Sequence, residues 1–431
     1  MKNVAEVQLW GKPIGALVLD DGARTANFQF EADFTQSGIN PAPLTMPLSS
    51  KSYSFPELPF ATFSGLPGMI ADSLPDKFGN AIINLWLATQ GRLASTITTV
   101  ERLCYVGSRG MGALEFVPSK RLIDATESPL QIEHLVNLAS EILAERTELH
   151  GTLKERTKAM NDILRVGTSA GGARAKAVVA WNKVTGEIRS GQVDSGDGFD
   201  HWLIKFDGVV NNADKNLADP AGFGLIEYSY FQMAIAAGIT MSECDLLHEG
   251  GRHHFMTRRF DRPHNNEKLH MQTLCAMAHF DFNSPGAHSY EQAFIVLKQL
   301  RLPMSDTEEL FRRMVFNVIA RNQDDHVKNI SFLMDKSGKW WLAPAYDVVY
   351  SYNPNGAWTS SHQISINGKR DHFTTHDILE CATFAGIRKA KALSIIDDVK
   401  GAVQNWQVVA TNNGIDERTI QQIQTAFRLD V

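Results

Sequence analysis

The sequence predicts an α+β fold in three blocks: a β meander with helices, a β-rich lobe and a helical lobe. Three observations carry this. Residues 4–30 alternate apolar and polar positions and are cut by turn signals. Short β-type runs recur between about 176 and 260. From about 270 the period becomes helical and stays so to the end, except around 328–348. A chain of 431 residues exceeds one small core. Boundaries near 150 and 265 give an N-terminal subdomain (1–150), a β-rich part (151–265) and an α-helical part (266–431).

In chain order, "VAEVQLWGKPIGALVLDDGARTANFQF" reads as strands separated at Gly11-Lys12-Pro13 and Asp20-Asp21-Gly22. Residues 69–92 carry Ala71, Leu74, Phe78, Ile82 and Leu85 at helical spacing, and 132–146 form a clearer amphipathic helix. Residues 147–165 read as a charged connector. "AKAVVAWNKVTGEIRS" is a hairpin turning at Thr185-Gly186. "HWLIKFD" is a strand, "GLIEYSYFQMAIAAGI" a helix stopped by Gly238, and "HHFMTRRFDR" another strand. His253 and His254 are adjacent on that strand and face opposite ways, which argues against a shared metal.

Composition is that of an ordinary globular protein, 43% apolar and 21% charged. A net charge of −6 gives no global reason to bind nucleic acid alone. Four cysteines without CxxC spacing argue against a disulfide framework or a zinc site and for a reducing cytoplasm. The first residues have no apolar core of the signal-peptide kind. The most apolar window contains Glu227 and Gln232 and is too short to span a bilayer.

The chemistry concentrates in "NQDDHVKNISFLMDKSGKWWLAPAYDVVYS", residues 322–351. A helix over 311–322 feeds a loop, and two strands turn at Ser337-Gly338. Asp324 and Asn329 precede this hairpin and Asp347 lies near its far end, so the hairpin brings them together. Three hard oxygen ligands suit Mg²⁺, which takes one or two carboxylates plus phosphate oxygens. Protein kinases use the same Asp-x4-Asn step in the catalytic loop and a second metal-holding Asp after it. The competing reading is a polar loop capping a strand. Asp325 rivals Asp324 as the base. His326 either orients Asp324 or packs the loop.

"NQDDHVKN" with "LAPAYDVV" resembles the HipA family of bacterial toxin kinases, whose fold is a divergent protein kinase. "VQLWGKPIGALV", "PLTMPLS" and "ADSLPD" are similar to its N-terminal subdomain, so the resemblance spans most of the chain. It implies a β-rich N-lobe bearing that extra subdomain and an α-helical C-lobe. It implies ATP and Mg²⁺ as cofactors. Lys205 would pair the nucleotide phosphates, with Glu227 as its ion-pair partner. The loop Ser169, Ala170, Gly171, Gly172, Ala173, Arg174 and Lys176 would cover the nucleotide, although it is neither a Walker loop nor a kinase G-x-G-x-x-G. Arg258, Arg259 and Phe260 would grip adenine by their backbone. His326, Lys328, Asn329, Tyr346 and Asp347 would complete the nucleotide site, with Asn329 and Asp347 on the metal and Asp324 as base. It further implies self-phosphorylation at Ser169, with Thr168 the adjacent rival. The implied protein substrate is an aminoacyl-tRNA synthetase, the glutamate one. The implied partner is a helix-turn-helix antitoxin, through which the chain reaches operator DNA and co-represses. A small-molecule phosphotransferase and a catalytically silent corepressor are the alternatives.

Overall fold

The structure is a computed structural model of the chain. It describes residues 3–120, 130, 132–143, 174–191, 196–209, 222–263 and 267–431.

The N-terminal block is built on an antiparallel sheet. Strands β1 (Asn3–Leu9) and β2 (Lys12–Leu19) form a hairpin. Gly11 turns it at φ 74°, a left-handed value that suits glycine. Then β3 (Asn27–Phe30) and β4 (Ser52–Tyr53) extend one side, and β5 (Leu114–Val117) returns to pair with β1. The order is β4-β3-β2-β1-β5. Ala5, Val7 and Leu9 alternate inward and are buried, the period-2 pattern visible in the sequence. Four helices lie between β4 and β5: α1 (Phe60–Phe63), α2 (Gly68–Ala71), α3 (Lys77–Thr89) and α4 (Thr99–Val106). The single helix expected over 69–92 is thus two. Pro75 lacks the amide a continuing helix needs, and Asp76 starts α3 afresh by accepting from Gly79 N at 2.6 Å. Helix α5 (Ile132–Leu143) follows.

The middle block is a second antiparallel sheet. Its strands are β6 (Lys176–Trp181), β7 (Ile188–Ser190), β8 (Asp200–Lys205), β9 (Cys244–Glu249) and β10 (Arg252–Arg258), in the order β7-β6-β8-β10-β9. Helix α6 (Phe223–Ala236) crosses between β8 and β9 and ends just before Gly238, whose φ is 80°. This helix has no polar stripe because it is covered on both sides, by β9 and β10 and by C-terminal helices. Glu227 is its one charged residue.

The last block opens with β11 (His270–Thr273), a strand where a helical run was expected. It pairs with β12 (Ser331–Met334), a partner far along the chain that a local period cannot reveal. Helices α7 (Leu274–Ala278), α8 (Tyr290–Gln299) and α9 (Met304–Ile319) follow. Strand β13 (Trp340–Leu342) closes the hairpin with β12 and is shorter than expected, because Pro344 ends it. A stretch without helix then runs to Thr374, set by turn formers such as Asn353-Pro354-Asn355-Gly356. Helices α10 (Thr375–Phe384), α11 (Lys389–Gln404), α12 (Trp406–Asn412) and α13 (Glu417–Ala426) complete the chain.

Among the described residues, two apolar cores hold the blocks together. The larger runs without a break from the N-terminal sheet through α2 and α7 into the helical block. The smaller lies between α3 and α5 and the second sheet, where Phe78, Ile82, Leu135 and Val136 meet Ala177, Val179, Trp202 and Ile204. The two longer N-terminal helices therefore pack on the middle sheet. No helix among the described residues is long and apolar enough to cross a membrane.

Candidate active site

The site lies between the middle sheet and the loop after α9. Lys205 ends β8, and its register partner on β6 is Lys176. Both are buried, at 9% and 4% exposure, so each needs an opposite charge nearby. Lys205 Nζ lies 2.5 Å from Glu227 Oε1, which α6 presents at 2% exposure. The same ammonium also contacts Asp347 Oδ1. Burial works against the Lys205 charge, but Asp347 and Glu227 outweigh it and raise its pKa. Burial likewise opposes ionisation of Asp347. The ammonium groups of Lys205 and Lys176 overcome it and hold this carboxyl well below the usual carboxylate range. For Lys176 burial wins and the pKa falls, although Asp76 and Asp347 act in the other direction.

The loop explains the Asp-x4-Asn spacing. Asn329 Nδ2 donates to the carbonyl of Asp324 at 2.7 Å, closing a ring over residues 324–329. That uses the nitrogen end of the amide and leaves Oδ1 as an acceptor. Ser351 Oγ accepts from the amides of Gln323 and Asp324, at 2.8 and 3.0 Å. The Asp324 side chain is 41% exposed. The protein around it raises its pKa, while His326 and the Trp358 indole oppose the rise. Trp358 Nε1 donates to Asp324 Oδ1 at 2.7 Å, whereas His326 Nε2 is 3.9 Å away. The direct hydrogen-bond orienter of Asp324 is therefore Trp358 and not His326. The His326 ring instead meets Phe282 edge-on at 5.7 Å.

Asp325 has a different environment. It is 3% exposed and accepts from Tyr290 Oη (3.1 Å), His362 Nδ1 (2.9 Å) and Gln363 N (2.8 Å). A carboxylate so engaged has little left for a substrate.

Asp347 lies beyond β13 in a loop, not on a strand as expected. Its φ is 52°, a conformation that costs energy for a non-glycine residue. Tyr346 braces that turn, its Oη donating to Lys328 O and contacting Ser331 Oγ, both at 2.5 Å. Lys328 Nζ sits 4.2 Å over the Phe282 ring. Arg174 stacks on Phe223 at 3.5 Å and lies 3.8 Å from Glu227 Oε2. Arg258 pairs with Asp200 at 2.6 Å. Arg259 is buried, with Nε 2.9 Å from Asp261 Oδ1, and its backbone N–H donates to His201 O at 2.8 Å. The Phe260 ring lies 5.7 Å from that of Tyr346. His254 is buried and accepts from Asp207 N at 2.9 Å, while His253 pairs with His248. Ser169, Ala170, Gly171, Gly172, Ala173 and Thr168 lie outside the described residues.

The donor set fits a Mg-nucleotide. One carboxylate (Asp347) and one amide oxygen (Asn329) are hard ligands in the number Mg²⁺ accepts beside phosphates. A buried lysine, Lys205, contacts the Asp347 carboxylate. Trp358 and Ser351 escaped sequence reasoning because they reach Asp324 from the irregular stretch, 34 and 27 residues on.

Comparison with known proteins follows the same lines. Residues 5–117 match the HipA N-terminal domain and residues 168–406 the HipA-like C-terminal domain. A candidate kinase of Haemophilus influenzae is 31% identical over 103 residues, 22% of this chain and 30% of that protein. A second candidate kinase, of Sinorhizobium fredii, is 26% identical over 137 residues, 29% of this chain and 32% of its own. The chain thus spans about a third of the length of these two relatives. The serine/threonine-protein kinase toxin HipA of Shewanella oneidensis is 22% identical over 80% of this chain and 74% of its own. A solved complex of Shewanella HipA with HipB and operator DNA superposes with a TM-score of 0.68 at 18% identity, over 98% of this chain and 95% of the other. The α+β architecture is therefore that of HipA. With a family model covering more than half of its residues, the chain belongs to the HipA family.

Proposed function

We propose that the chain is an ATP- and Mg²⁺-dependent serine/threonine protein kinase, the toxin of a toxin–antitoxin pair. The observation that carries this reading is the Lys205–Glu227–Asp347 cluster beside the Asp324–Asn329 ring. Lys205, Lys176 and the Ser169–Arg174 loop bind the triphosphate, and the backbone at Arg258–Phe260 takes adenine. His326, Lys328 and Tyr346 line the site. Asn329 and Asp347 would hold Mg²⁺, which when bound neutralises phosphate charge. Asp324 orients the acceptor hydroxyl and takes its proton as the oxygen bonds to the γ-phosphorus and the bond to the bridging oxygen breaks. Trp358 keeps the carboxylate turned toward the cleft.

The finer reading follows the family. The protein substrate is an aminoacyl-tRNA synthetase, the glutamate one. The chain self-phosphorylates at Ser169, where added negative charge beside ATP is repelled. A helix-turn-helix antitoxin binds the chain and carries it to operator DNA for co-repression. The HipA–HipB–DNA complex of the Shewanella relative supports that partnership.

The test is transfer of radiolabelled γ-phosphate to protein in lysate and to the chain itself, with Lys205→Met and Asp324→Asn as controls. Label on protein, lost in both variants, is expected. Label appearing only on a metabolite favours a small-molecule phosphotransferase. Absence of both transfer and Mg-dependent nucleotide binding overturns the kinase reading.

A further inference from the structure

The "ADSLPD" segment of the N-terminal block, residues 71–76, has so far entered only through the charge of Asp76 near Lys176, yet it is tied to the catalytic loop. Asp72 ends α2, which packs on α7. Its carboxylate grips Thr273 with both oxygens: Oδ2 accepts from the backbone N at 2.7 Å and Oδ1 from Oγ1 at 2.9 Å. Thr273 is the corner between β11 and α7, and its Oγ1 also caps Ala276 N. The next two amides leave this corner toward the catalytic loop. Leu274 N donates to Ile330 O at 2.7 Å, and Cys275 N donates to Val327 O at 3.1 Å. Val327 and Ile330 flank Lys328 and Asn329. Hydrogen bonds through the Thr273–Cys275 backbone thus join an aspartate of the N-terminal block to both sides of Asn329, one of the two residues proposed to hold the metal.

Neighbouring features fix the same contact. Gly68 N donates to His279 Nε2 at 3.1 Å, and a Cβ at Gly68 would stand 2.5 Å from Ala276 O, so α2 lies flush on α7. Asp76, four residues on, has a buried Oδ2 with no hydrogen-bond partner among the described residues. The cations whose charge reaches it are Lys176 and Lys328 of the cleft.

The geometry points to Asp72 as a positioning residue for phosphoryl transfer, holding the Val327–Ile330 loop in register through Thr273. The inference rests on the kinase reading above. Its consequence is specific, because a loop displaced by a fraction of an ångström misplaces Asn329 and Asp324 while Lys205 and its sheet stay in place. A misplacement near 1 Å costs roughly 100-fold in rate.

The experiment compares wild type with Asp72→Asn, Thr273→Val and Thr273→Ser, reading kcat, nucleotide KM, Mg²⁺ for half-maximal rate and melting temperature. Asp72→Asn replaces one of the two accepting oxygens with N–H₂, so either Thr273 N loses its acceptor or Thr273 Oγ1 must turn from donor to acceptor. It is expected to lower kcat roughly 10- to 100-fold. The Mg²⁺ requirement should rise at least about threefold, with nucleotide KM within about twofold. Thr273→Val removes the hydroxyl arm from the other side and should act in the same direction, without adding to Asp72→Asn in the double variant. Thr273→Ser keeps both groups and should restore wild-type values. Val100→Ala, a cavity variant of the same block, controls for lost stability and should leave the Mg²⁺ requirement unchanged. A wild type without Mg-dependent turnover overturns the kinase reading, and this inference with it. A working wild type whose Asp72→Asn and Thr273→Val variants keep its kcat and Mg²⁺ requirement overturns the inference alone.

Discussion

Two adjacent aspartates illustrate what environment does to identical side chains. Asp324 faces the cleft with one indole hydrogen bond, while Asp325 is buried under three donors. Asp324→Asn should lower phosphoryl transfer roughly 10²- to 10⁴-fold. Nucleotide affinity by calorimetry should change little, since Lys205 is untouched. Asp325→Asn should instead lower the melting temperature, because an amide that keeps its oxygen on Gln363 N turns its N–H₂ toward the buried donors of Tyr290 and His362, at about 1–3 kcal/mol. The reverse pattern, with Asp325→Asn stable but inactive and Asp324→Asn active, would exchange their roles. The Asp324, Asn329 and Asp347 cluster was legible in the sequence because one loop and one hairpin connect it. Glu227 was legible as the partner of Lys205 only through the family resemblance, since taken alone it reads as a solvated helix residue. Trp358 was not, since an indole in an irregular stretch has no period to betray its partner.

Among the elements, the contact of α6 with β10 controls the lysine–glutamate pair. Gly224 lies on α6, and a Cβ there would sit 1.9 Å from the carbonyl oxygen of His253 and 3.2 Å from Phe255 N. Both obstacles are backbone, so the helix must move. Gly224→Ala should therefore shift Glu227 away from Lys205 and raise the nucleotide KM severalfold, with about 1–3 kcal/mol lost from overpacking. An unchanged KM in a folded variant would show that the pair tolerates the movement. Strands with clean alternation and helices with clear stops were readable, as β1, β2 and α6 show. Strand β11 was not, because its stability comes from pairing with β12 rather than from "HMQT" itself. The helix break at Pro75 was printed in the sequence, but the apolar spacing continued across it and masked it.

For the whole molecule, acid should loosen the fold through three buried histidines. His254, His270 and His279 are each pushed down by burial to about 4, against an ordinary value of 6.5. Asp207 opposes the shift at His254, the Pro41 carbonyl at His270 and Glu57 at His279. His254 and His279 accept backbone hydrogen bonds that only a neutral ring can take. The unfolded chain binds protons at these rings below pH 6.5 while the folded chain does not, so stability falls as pH drops from 6.5 toward 4. The melting temperature should decline by several degrees between pH 7 and pH 5, and His270→Gln should flatten part of that decline. A melting temperature constant over this interval would contradict the burial of neutral rings. The three-block order was visible from periodicity alone. How the blocks share two cores was not, because α3 and α5 carry ordinary amphipathic faces that do not name the sheet they cover.

The clamp between Asp72 and Thr273 joins residues 201 apart in the chain. A ribosome adding about 5–20 residues per second needs roughly 10–40 s to bring the second after the first. During that interval the N-terminal sheet can close only once β5 has emerged, and α2 still lacks the α7 surface it packs on. The nascent chain therefore carries an open apolar face through half of its synthesis. A stalled or truncated product ending before α7 should accordingly be captured by holdase chaperones or aggregate, which the finished chain should not.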